Sequence, residues 1–284
     1  MIESILSYLW QSLSAALLQI LILCGPGFFL TLILNFETGF IQKRAVAAMG
    51  QGWYLGLFGW LGTIVHELGH AACCVIFWHK IDEMQLFHPD PETGTLGYVK
   101  HSYNRTNLYQ LAGNFFIGIG PILLGTAVIF LLAYWLLDLN FLSAGSSFIS
   151  TSAQLDSWEA LKELLQNLWN SSSQLLVDIF SWQHLSGWQL YLFIYLVFAI
   201  GSSITLSPPD IKAALGGFGV IVLLIFVLNL ATIWAGSYLT DAVVAFSGYY
   251  VLFYTVVFLI ILVNVAAALF ILLPLALLKI KSSK

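Results

Sequence analysis

Six stretches of the chain, at roughly 15–35, 53–78, 108–137, 188–206, 213–235 and 248–278, run for about twenty residues or more with almost no charge. A bilayer core asks for about 20 apolar residues per helix. The pattern therefore predicts an all-α integral membrane protein with about six transmembrane helices, a single polytopic domain over 1–284. Gly25-Pro26-Gly27 interrupts the first stretch and predicts a kink or break there. After the second stretch the pattern shortens. Met84-Gln85-Leu86-Phe87 and Leu96-Gly97-Tyr98-Val99 flank Asp90-Pro91-Glu92-Thr93-Gly94, a turn signal. These segments predict a small β-hairpin at the membrane face, either a connecting loop or an edge that could hold an extended peptide. Between 139 and 187 the chain is rich in Ser and Asn. Within it Trp158, Leu161, Leu164, Leu165, Leu168 and Trp169 share helical spacing, with Asp156, Glu159, Lys162 and Glu163 opposite. This predicts an amphipathic helix on the outer membrane surface, or a lid over a substrate entrance.

Composition strengthens the membrane reading. Hydrophobic residues make up 60% and charged residues 8%, where a soluble domain carries about 25% charge; mean hydropathy is +0.90. A net charge of -4 carries no nucleic-acid signature. Cys24, Cys73 and Cys74 lie in apolar runs and read as small buried residues, not a disulfide framework. The first stretch has no basic leader or cleavage pattern, which predicts a retained helix. With six alternating spans, seven of the Lys and Arg residues fall on one side and three on the other. The excess predicts both termini in the cytoplasm, with the cell membrane as the expected location, although Lys43 and Arg44 pull the other way.

One short motif changes the picture. His66-Glu67-Leu68-Gly69-His70 lies in the second stretch, where Glu67 is the only charged residue between 52 and 78. Histidines four apart share one helix face, and the residue after the first lies close enough to act on what they hold. Neutral imidazoles bind zinc, an open position takes water, and a neighbouring carboxylate can take its proton. The bland alternative is a set of inert polar groups satisfied between helices, but ionisable groups at membrane depth are costly and usually mark a site. His79, His88 and His101 gather around the hairpin, as solvated loop residues or in a metal or pH-sensing role.

A zinc hydrolase needs a third ligand from elsewhere. Ser207-Pro208-Pro209-Asp210 is the best candidate, because two prolines must end or break the fourth span and put Asp210 on the same side as His70. Non-helical backbone at that depth is tolerated only inside protein or along a cavity. The alternative is that Asp210 merely caps the next helix. Asp82 and Glu83 follow the motif too soon, and Asp138, Asp178 and Asp241 fall on the other side.

The HExxH motif in an early span, Gly120-Pro121 in the following span and an Asp after a proline-broken later span together resemble the site-2 protease family of intramembrane zinc metalloproteases. The resemblance covers about residues 50–220, the catalytic core. It implies a zinc metalloendopeptidase with one zinc ion held by His66, His70 and Asp210, Glu67 activating water, and a membrane-protein substrate cut within or near its span. The hairpin is similar to the family's membrane-associated strand region. Asp210-Ile211 stands where the family has Asp-Gly, and Ser207-Pro208 where it has Asn-Pro. Six histidines are too few for a diiron desaturase, and no Gly-x-Ser-x-Gly occurs for a serine hydrolase. The non-enzyme rival is a zinc-binding membrane scaffold or inactive homologue that binds partner membrane proteins. A structural zinc site has no use for Glu67 and closes its fourth position.

Overall fold

The computed structural model describes residues 2–90, 94–139, 158–236 and 238–282. It is mostly helical. Helix α1 spans Ile2–Met49. After Gly50, α2 (Gln51–Tyr54) passes through a π turn (Leu55–Gly59) into α3 (Trp60–Ile76) without interruption. The strands β1 (Lys80–Gln85) and β2 (Tyr98–Ser102) follow, then α4 (Leu108–Leu137), α5 (Trp158–Ile179) and α6 (Trp182–Leu185). The chain ends with α7 (Trp188–Gly201), α8 (Pro208–Thr232), α9 (Tyr238–Ala245) and α10 (Ser247–Ser282).

Among the described residues, four helices are long and apolar enough to cross a membrane: α1, α4, α8 and the part of α10 at Tyr249–Leu269. Of the other two apolar stretches, the one at 53–78 is helical from Gln51 to Ile76 but divided by the π turn, and the one at 188–206 is helical only to Gly201. The motif helix α3 has 17 residues, and α7 has 14 before the chain leaves helical geometry. Large apolar side chains such as Leu17, Phe28, Leu32, Trp135, Leu223 and Val227 point outward, as helices facing lipid require.

The expected break at Pro26 is absent, and α1 runs through it. Proline removes the donor for the carbonyl one turn back. Beside that gap the Tyr254 hydroxyl donates to the Leu23 carbonyl. Gly27 makes room for it, since a Cβ there would lie 2.6 Å from the Tyr254 ring. A second polar clasp joins α1 to α8: Gln19 and Asn229 exchange amide hydrogen bonds at 3.2 and 2.8 Å.

Helix α4 is the hub, packed between α3 and α8. A Cβ on Gly69 would lie 2.6 Å from the Gly120 carbonyl oxygen, and one on Gly120 equally close to that of Gly69. On the other side, a Cβ on Gly118 would meet the Asp210 carbonyl at 2.6 Å, and one on Gly217 the Phe115 nitrogen at 2.2 Å. Small residues let the backbones touch, so one stretch of α4 draws the motif helix and the start of α8 together. Ile129, Phe193, Val197, Ile200, Ile204 and Ile260 fill the core beside it.

The hairpin forms much as its pattern predicts. Met84 pairs with Val99 and Gln85 with Tyr98, with a bulge between Ile81 and Glu83, so the ladder extends closer to the helices than 84–87 and 96–99. Asp90 and Thr95 close the turn through a backbone bond of 2.8 Å, and Gly94 takes φ +72°. Pro91-Glu92-Thr93 lies outside the described residues. Helix α5 continues beyond 169 to Ile179 and buries Ser172, Leu175 and Ile179. Of the amphipathic face expected there, Asp156 lies outside the described residues. The three cysteines are free thiols, as their apolar settings suggested.

Candidate metal centre

His66 and His70 stand one turn apart on α3, and each turns Nδ1 onto a backbone carbonyl. His66 Nδ1 lies 2.9 Å from the Ser203 oxygen and His70 Nδ1 2.8 Å from the Ile117 oxygen. A carbonyl only accepts, so both Nδ1 atoms carry the proton, and in neutral rings both Nε2 atoms would be bare. Those Nε2 atoms face each other at 3.2 Å. Two lone pairs at that distance repel unless a cation sits between them. Asp210 completes the arrangement, with Oδ1 3.3 Å from His70 Nε2 and Oδ2 3.9 Å from His66 Nε2.

His66, His70 and Asp210 thus form a group that could hold a metal ion, with one ligand atom from each within 4.8 Å of the others. Anchoring of the remote ring nitrogen by a carbonyl is how metal-binding imidazoles are oriented. The two nitrogens and an oxygen suit a borderline-soft cation. A protonated ring paired with Asp210 is the alternative filling of the same space, and metal stoichiometry separates the two.

Local sequence explains why the two carbonyls are free. In a helix the Ile117 oxygen would accept from residue 121, and that residue is proline. The Ser203 oxygen lies beyond α7, and the Ser207 N–H donates instead to Asp210 Oδ2 at 2.8 Å. Gly62 lets this segment close on α3, since a Cβ there would lie 2.3 Å from Ser203 Oγ.

Asp210 does cap a helix, in a way that differs from the simple alternative. Ser207 is the N-cap, Pro208 opens the first turn, and Asp210 is the third residue of a capping box with Ser207. The Ser207 hydroxyl donates to Asp210 Oδ2 at 2.5 Å. The box directs the carboxylate toward the imidazoles, so capping and facing the histidines are one arrangement.

Glu67 is buried, 6% exposed, and the returning arm of the hairpin covers it. A Cβ on Gly97 would lie 2.9 Å from Glu67 Cγ and 2.8 Å from the Leu86 oxygen, so only glycine fits there. Among the described residues no Lys or Arg pairs with the carboxylate of Glu67 or Asp210.

The remaining candidates separate. His79 and His101 meet, Nδ1 to Nδ1 at 3.0 Å, while His79 Nε2 donates to the Gln110 carbonyl at 2.9 Å. Burial first holds both imidazoles below their ordinary range; the Gln110 carbonyl opposes it at His79, and the His79 charge adds to it at His101. His88 is exposed near the turn and joins neither group. Asp82 pairs with Lys80 and Glu83 with Lys100. Asp138 ends α4 in left-handed geometry, and Asp178 accepts from Gln174. The side chain of Asp241 lies outside the described residues. Ile117, Ser203 and Gly97 were missed in the sequence because two act through backbone oxygens and the third by lacking a side chain; Gly120-Pro121 was the one available signal. No protein-family model, curated protein or solved structure matches the chain.

Proposed function

We propose that the protein is an intramembrane zinc metalloprotease that hydrolyses peptide bonds of membrane-protein substrates within or near their spans. The observation that carries this is the pair of Nε2 atoms 3.2 Å apart, with Asp210 facing both and Glu67 buried beside His66 on the same helix. His66, His70 and Asp210 would hold one zinc ion, which supplies Lewis acidity toward a carbonyl and toward water when bound. Glu67 would take the proton from the attacking water and return it to the leaving amine. The bond between carbonyl carbon and nitrogen breaks, and water is divided between the two products.

A peptide bond in a helix is shielded by its own hydrogen bonds, so a substrate must unwind before attack. Among the described residues no third strand joins the two-stranded sheet, so one of its edges could take up an extended segment and replace the bonds it gave up. The same reading includes six spans, both termini in the cytoplasm and residence in the cell membrane, supported by the apolar pattern and the Lys and Arg count.

The test is metal content together with cleavage of single-span membrane peptides by the purified, reconstituted protein. Wild type should carry one zinc per chain, His66→Ala none, and Glu67→Gln should keep zinc and lose cleavage. Cleavage surviving in Glu67→Gln would remove that residue from the role. Zinc binding in wild type with no cleavage of any such peptide would favour the scaffold reading.

A further inference from the structure

The segment that carries both Ser203 and Asp210 into the site is an irregular stretch between two apolar helices. From 204 to 206 its backbone is outside helix and sheet, and Ile204 is fully buried. A buried N–H left unpaired costs free energy comparable to a lost hydrogen bond. At Leu206 the partner comes from far away in the chain: its N–H donates to Asn35 Oδ1 on α1 at 2.9 Å.

We infer that Asn35 is a positioning residue for the metal centre, acting through the backbone of residues 203–207. Leu206 stands between the carbonyl that orients His66 and the capping box that aims Asp210, so a clasp at its N–H fixes the spacing of both. Two residues on from Asn35, Glu37 Oε1 accepts from Asn264 Nδ2 of α10 at 3.2 Å, with both side chains buried. Asn264 in turn seats on the end of α7, where a Cβ on Gly201 would lie 3.0 Å from Asn264 Oδ1. Helix α1 thus grips both ends of the non-helical segment, by Asn35 after it leaves the core and through Glu37 and Asn264 where α7 stops. Losing a group that orients metal ligands from behind typically costs roughly 10–100-fold in metal affinity or activity.

This inference rests on the proposal that His66, His70 and Asp210 hold zinc, and the experiment separates the two. Zinc affinity of the full-length protein in detergent is measured by competition with a chelator for wild type, Asn35→Leu, Asn35→Asp and Asn35→Ser, alongside thermal unfolding. If wild type binds no zinc, the metal reading fails and Asn35 has nothing to position. If it binds, Asn35→Leu, which fills the space without an acceptor, should weaken binding on the order of 10-fold or more, and Asn35→Asp, which keeps an acceptor at the same reach, should restore most of it. Asn35→Ser is too short to reach Leu206 and stands in should the leucine variant fail to fold; it should show the same loss. Wild-type affinity in folded Asn35→Leu or Asn35→Ser protein, whatever the change in melting temperature, overturns the inference. So does equal weakening in the aspartate variant.

Discussion

The Nδ1–H of His70 donates to the carbonyl of Ile117 at 2.8 Å, an oxygen left free because Pro121 stands where its helical donor would be. Replacing Pro121 by Ala would return that donor. The carbonyl would then be shared or lost, and the His70 ring would lose the contact that sets its tautomer. Zinc affinity should fall by about 10-fold while the helix content is kept, measured by metal titration beside circular dichroism. Unchanged affinity would show that the carbonyl does not orient the ring.

Gly69→Ala tests the crossing that brings the site together. Its Cβ would meet the Gly120 carbonyl at 2.6 Å, backbone that cannot rotate aside. Overpacking of this kind costs about 1–3 kcal/mol. We expect a lower melting temperature in detergent and weaker zinc binding, since moving α3 from α4 also separates His70 from Ile117.

Gly97→Ala acts on the other side of the motif. The added methyl would press on Glu67 Cγ at 2.9 Å and touches none of the three proposed ligands. Cleavage should therefore drop several-fold while zinc stoichiometry and affinity hold. Loss of zinc instead would mean that the hairpin supports the ligands and not the base.

The His79 and His101 pair makes the root of the hairpin sensitive to acid. In the unfolded chain these rings take protons near their ordinary value of 6.5, and in the folded protein burial holds them lower. Below 6.5 the unfolded state binds more protons, so stability present above that pH is lost as the pH falls toward the lowered values. Amide exchange in 80–85 and 98–102 should quicken on acidification, and His101→Gln should flatten the dependence. Tyr103, Asp82 and the Gln110 carbonyl face the pair and remain in both proteins.

The clasp between Gln19 and Asn229 gives a further measurement. In a double-mutant cycle with alanine at each position, the coupling should be about 0.6–1.7 kcal/mol, the range for hydrogen bonds between membrane helices, read from unfolding in mixed micelles. Coupling near zero would mean that these amides find other partners as readily.

Much was legible in the letters. Long uncharged runs can bury their backbone polar groups only as helices, so α4 at 108–137 and the helical form of the motif followed from pattern alone. The hairpin followed from a turn signal between two short segments, and the spacing of His66 and His70 put them on one face. Two prolines before Asp210 marked the break in the chain. All of these are local properties, set by neighbours within a few residues.

What depended on the tertiary structure was everything that needs two distant segments to meet. Pro26 predicts a kink or break, yet α1 continues through it, with the Tyr254 hydroxyl of α10 on the Leu23 carbonyl beside the gap. Asp210 and the histidines converge because glycines on opposite sides of α4 let three backbones approach, and steric fit between helices is written in no single stretch. Tautomers and ring orientation depend on the carbonyls of Ile117 and Ser203, which every residue type carries and no letter distinguishes. Chain-local physics determined the elements and named the chemistry; packing decided which lone pairs face each other.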